Sequence, residues 1–193
     1  MKYSIEELEG ILKECVSEKR YNHSILVMEE AIKYCLRYRA NDNVFLEKVK
    51  RASLMHDICK EMSFDEIVRY IKDNNIDLDI TKIENKPLIH GIIGADVCLK
   101  KYDFSEDMAK AIRWHTTGSL NMSLMDKIVF MADKVGRECL SDDLKEIKDI
   151  SFNDLDEAII LFIEKNIERL NRKSIKVNEL SIQVLERLKL EKN

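Results

Sequence analysis

Proline occurs once and glycine only five times in the 193 residues. So few chain breakers leave no Gly/Pro-rich linker, and with Glu, Lys, Leu, Ile and Met dominant they argue for helices. The five cysteines (Cys15, Cys35, Cys59, Cys98 and Cys139) are odd in number, scattered, and nowhere in C-x-x-C spacing. That pattern argues against a thiolate zinc site and a redox pair. Neither a secretory leader nor an apolar run of membrane-spanning length is present, so no membrane partner is expected. The expectation is a reduced, cytoplasmic protein. Charge of one sign is also lacking: 32 basic and 36 acidic residues give a net charge of −4 in mixed order. Without a basic stripe, no nucleic-acid partner is expected, although a few local cations can still hold an anion.

What is present is helical punctuation. Ser4 and Glu7 form a capping box ahead of Ile5, Leu8, Ile11 and Leu12, and Ser63 and Glu66 form another. Helices are predicted from about Asn22 to Tyr38 and from Val44 to the pair His56-Asp57. A short helix should end near Asp73, with a polar loop from Asn75 to Lys86. Pro87 suits the first turn of the next helix, which carries His90 and runs to about Lys101. Ser105 should open a helix ending near His115, and Ser123 should cap one through Asp133. Two more segments, about 153–171 and 178–190, complete an all-α fold of eight or nine helices in one domain. The amphipathic terminal helices make a homodimer an expectation.

There are only four histidines: His23, His56, His90 and His115. Each falls on a different predicted helix, beside apolar or small residues. Asp57 and Asp133 occupy the most apolar contexts of any aspartates, SLMHDIC and VFMADKV. Taken singly, each histidine reads as a core or boundary residue and each aspartate as a cap or an ion-pair partner. Taken together, imidazoles and carboxylates are ligands suited to iron, manganese or zinc. A buried aspartate also needs a partner. Spacing alone does not bring four helices to one point. His56 and Asp57 are moreover neighbours, pointing about 100° apart if both lie on one helix.

Five segments, in order, carry a resemblance: RYNH (20–23), LMHDICK (54–60), PLIHGIIGA (87–95), AIRWHTTG (111–118) and MSLMDKIVFMADKV (122–135). In these the chain resembles the HD-domain phosphohydrolases, and within them the YqeK-type group of symmetrical bis(5′-nucleosyl)-tetraphosphatases. The likeness spans about residues 20–137. The resemblance implies an HD-domain helical bundle whose metal ligands are His23, His56, Asp57 and Asp133. It implies one or two divalent ions, iron first, with manganese, cobalt or zinc as alternatives. Asp57, His90 and His115 would be catalytic. Arg20, Lys60, Thr116 and Arg137 would contact phosphates, together with His23, His90, His115 and Asp133. The implied reaction splits diadenosine tetraphosphate into two ADP by metal-activated water. Alternatives are another HD-type nucleotide phosphohydrolase, such as a nucleoside monophosphate phosphatase, and a nucleotide-binding module without turnover. The segment Leu170–Leu180 departs from the family's pattern, in a region that approaches the nucleoside in relatives.

Overall fold

A computed structural model describes residues 2–78 and 88–192 and contains ten α-helices, with no strand among the described residues. They are α1 (Ile5–Cys15), α2 (Glu18–Tyr38), α3 (Asn43–Met55), α4 (Phe64–Asp73) and α5 (Ile89–Lys101), then α6 (Glu106–Trp114), α7 (Leu124–Val135), α8 (Asp142–Ser151), α9 (Leu155–Arg172) and α10 (Glu179–Lys192). The expected helix start at Pro87 and most of the polar loop before it lie outside the described residues.

The capping boxes at Ser4–Glu7 and Ser63–Glu66 are both formed, and Ser123 builds a third with Asp126. Each box satisfies backbone N–H groups that a helix start leaves without an intrahelical partner. The tenth helix, α8, raises the count above the eight or nine expected. Ser141 accepts a hydrogen bond from the Leu144 N–H at its start, and Asp142 and Asp143 fill its first turn.

Two boundaries differ from expectation in ways that matter for the site. α2 begins a full turn before Asn22, because Glu61 caps it from 44 residues away. The Glu61 carboxylate accepts from Ser17 N at 2.6 Å and Ser17 Oγ at 2.7 Å. α3 ends at Met55, so His56 and Asp57 occupy the turn that follows it. That turn is closed by Ile58 N to Met55 O at 3.1 Å and Lys60 N to Asp57 O at 2.9 Å.

One continuous apolar core draws on residues from Leu8 in α1 to Leu188 in α10. Around its centre α2 packs on α3 and α7, and α6 on α3, α5 and α7. Two glycines allow the backbones to approach closely. A β-carbon on Gly91 in α5 would stand 2.9 Å from the Arg113 carbonyl oxygen of α6. One on Gly136, just past α7, would stand 2.8 Å from the Val27 Cα of α2. Each glycine follows a histidine or aspartate of interest by one or three residues. The first contact sets His90 against His115, and the second sets Asp133 against His23.

Candidate metal centre and phosphate cleft

The four histidines, which start on different elements, end as a row of rings. Centroids are 5.5 Å apart for His23–His56, 4.9 Å for His56–His115 and 4.9 Å for His90–His115. Asp57 and Asp133 stand on either side of His56. Asp133 Oδ1 is 3.1 Å from His23 Nε2 and 3.4 Å from His56 Nε2. Asp57 Oδ2 is 3.6 Å from His56 Nε2, while Asp57 Oδ1 is 3.0 Å from His90 Nε2 and 3.5 Å from His115 Nε2.

His56 and His115 are oriented by the same local device. Each follows the last residue of a helix and points Nδ1 at the carbonyl three residues back, Ser53 at 2.7 Å and Ile112 at 2.6 Å. A ring that donates through Nδ1 presents its Nε2 lone pair to the site, which is the second-shell arrangement that suits a metal-binding imidazole.

Among the described residues, two groups have ligand atoms within 4.8 Å of one another: His23, His56 and Asp133, and His56, Asp57 and His115. His56 belongs to both. Of the buried polar atoms here, His56 Nε2 and Asp57 Oδ1, like Arg20 Nε, make no hydrogen bond of proper geometry, although His90 Nε2 stands 3.0 Å from Asp57 Oδ1. Leaving such atoms unmatched costs about 1–3 kcal/mol each. A divalent cation would satisfy the first two, and a donor set of neutral imidazole and carboxylate suits iron, manganese or zinc. The residues present therefore fit a divalent metal.

Burial would raise the Asp57 carboxyl, but His56, His115 and His90 around it hold it well below the usual carboxylate range. Burial is likewise outweighed at Asp133, by the Lys134 charge and the nearby His23 and His56 rings. Burial pushes His115 down to about 4, which keeps this ring neutral and an acceptor at physiological pH. His56 feels the same burial, yet the charges of Asp57 and Asp133 raise it overall.

The ligand groups open onto a cleft of about 800 Å³. Arg20, Lys60, Lys134 and Arg137 bring positive charge to its walls. Arg20 Nη1 binds Asp57 Oδ2 at 2.9 Å, and Lys60 Nζ lies 3.0 Å from His90 Nε2. Thr116 Oγ1 lies 3.1 Å from His115 Nε2. Arg137 is exposed on the rim. All the residues singled out from the sequence thus lie in or beside one cleft. Sequence reasoning missed Lys134, which reads as one more surface lysine. Its only signal was adjacency to Asp133.

The HD-domain sequence profile matches residues 20–138. The chain is 29% identical over 185 residues to a Staphylococcus aureus protein named symmetrical bis(5′-nucleosyl)-tetraphosphatase, covering 94% of this chain and 93% of that one. A Halalkalibacterium halodurans protein of the same name is 32% identical over 165 residues, covering 85% and 86%. A crystal structure from Clostridium acetobutylicum, of a predicted HD superfamily hydrolase involved in NAD metabolism, superposes with a TM-score of 0.89. It is 27% identical and covers 98% of both chains.

Proposed function

The chain belongs to the HD-domain family, and we propose that it hydrolyses dinucleoside tetraphosphates symmetrically, taking diadenosine tetraphosphate and water to two ADP. The observation that carries this reading is the meeting of four histidines and two aspartates beside a cleft that Arg20, Lys60, Lys134 and Arg137 help to line. Relatives bearing that activity in their names match along most of the chain. We infer that the C-terminal helices belong to the same domain, since they share its core.

His23, His56, Asp57 and Asp133 would hold a divalent metal, with iron as the proposed ion. Such a metal lowers the pKa of water and polarises a phosphoryl oxygen. The remaining chemistry falls to the chain's own groups. Arg20, Lys60 and Arg137 would bind and orient the phosphates as point charges and hydrogen-bond donors. Splitting the central anhydride requires a proton for the departing phosphate oxygen. His90, with Lys60 3.0 Å from its Nε2, is the proposed donor. Neutral His115, bonded to the Ile112 carbonyl, would act as the acceptor that orients His90 at 3.0 Å. A smaller pocket of about 360 Å³, sharing Thr116 with the cleft and lined by Phe162, Asn166 and Asn178, is proposed to seat one nucleoside.

The test is chromatography of the products formed from diadenosine tetraphosphate with Fe²⁺ or Mn²⁺. Symmetrical cleavage gives ADP alone. ATP plus AMP would show cleavage at the wrong anhydride, and no turnover of any dinucleoside polyphosphate would end the proposal.

A further inference from the structure

Lys134 is buried, with 7% of its surface exposed, and the notional ligand set has no place for it. Its ammonium lies over the aromatic rings of Phe130 and Phe162, with Nζ 4.8 and 5.7 Å from the centroids. The ammonium then turns back onto the residue before it, reaching Asp133 Oδ2 at 2.7 Å. It also donates to the His115 carbonyl oxygen at 3.1 Å. That carbonyl belongs to the end of α6, where a helix leaves acceptors unmatched and favours a cation.

The two oxygens of Asp133 are therefore divided. Oδ1 faces His23 and His56, and Oδ2 is occupied by Lys134. Resting on the metal-site reading above, we propose that Lys134 is a resident counter-ion. It confines Asp133 to one donor oxygen and compensates the buried carboxylate when no metal is bound. Lys134 is thus a positioning residue, acting through Asp133.

This role has an unusual sign. An ordinary supporting residue strengthens metal binding, and its loss typically costs roughly 10–100-fold in affinity. A resident cation competes with the metal for the same carboxylate. Without it the buried carboxylate of the metal-free site has only the His23 and His56 rings beside it, so an incoming cation gains more on binding. Freed Oδ2 also becomes available as a second donor.

The test is Co²⁺ binding to metal-free wild type, Lys134→Met and Lys134→Arg, followed by calorimetry and visible absorption. Met keeps an unbranched side chain of similar length without the charge. We expect Lys134→Met to bind Co²⁺ roughly tenfold more tightly than wild type, the reverse of an ordinary supporting residue. Its visible bands should be weaker, as added coordination produces for Co²⁺, and Lys134→Arg should restore both readouts. Melting with and without Co²⁺ provides a parallel measure: the metal-induced rise in Tm should be larger in Lys134→Met. Should Lys134→Met fail to fold metal-free, Lys134→Gln gives the same comparison. Weaker or unchanged Co²⁺ binding with an unchanged spectrum overturns the inference. Failure of wild type itself to bind Co²⁺ overturns the metal-site reading, and this inference with it.

Discussion

The Ser53 carbonyl oxygen accepts a hydrogen bond from His56 Nδ1 at 2.7 Å, and this one contact decides which face of the ring meets the site. With Nδ1 engaged, Nε2 stands buried without a hydrogen-bond partner between two carboxylates. His56→Gln keeps the approximate volume but not an imidazole donor. Metal content per chain should fall below about a tenth of wild type, consistent with loss of a ligand rather than of a supporting group. Elemental analysis checks this, with circular dichroism to establish that the variant is folded. Full occupancy in the folded variant would remove His56 from the ligand set.

Gly91 makes a separate claim about positioning. A methyl group there meets backbone, the Arg113 carbonyl at 2.9 Å and that of Ile112 at 3.1 Å. Gly91→Ala should force α5 away from α6 at a cost of about 1–3 kcal/mol, carrying His90 away from His115. Urea unfolding measures the first effect. A fall in kcat larger than any change in KM would report the second.

In the metal-free protein, His115 should titrate near pH 4. Its folded pKa lies below the ordinary histidine value of about 6.5. The unfolded chain therefore binds a proton here before the folded one does. The stability contributed by the neutral ring is complete above about pH 6.5 and is lost as pH falls towards 4, an effect of order 3 kcal/mol. His56, raised rather than lowered, acts in the opposite direction: its contribution is present at low pH and fades as pH rises through its raised value. Urea unfolding of metal-free wild type and His115→Gln from pH 7 to 4.5 isolates the His115 part. The variant should lose less stability over that range. Parallel curves would contradict the assignment.

The thiols should divide by burial. Cys15 and Cys139 are exposed, whereas Cys35, Cys59 and Cys98 are buried. Burial raises Cys35 and Cys59 to about 12 and Cys98 well above its ordinary value. Since the thiolate is the reactive form, an aromatic disulfide reagent should label the two exposed thiols in the native protein, Cys15 the more slowly because partial burial and Glu14 raise it. The other three should react at the rate of unfolding.

Much of this arrangement was legible because it is local. Capping boxes at Ser4 and Ser63 announce helices through residues three apart, and the structure forms both. The missed helix α8 carried a similar local signal in Ser141 and the acidic pair after it, but it buries few residues, Ile147 and Ser151 among them, so its apolar stripe is thin. What the sequence could not display were contacts across distance. Glu61 lengthens α2 from 44 residues away, and so sets Arg20 on the helix that carries His23. The close approaches at Gly91 and Gly136 exist only once the helices are packed. The adjacency of His56 and Asp57 loses its difficulty for a similar reason: α3 stops at Met55, and the pair sits on the turn beyond it. Lys134 stayed hidden because a lysine's charge gives no hint that its ammonium will be buried over two phenyl rings.

We propose that one divalent ion is held among His23, His56, Asp57 and Asp133. The most direct measurement is anomalous diffraction at the iron edge from crystals of the iron-loaded protein. A single strong peak within bonding distance of His56 Nε2 and Asp133 Oδ1 is the expected result. A peak elsewhere, or none in crystals shown by elemental analysis to contain iron, would contradict it.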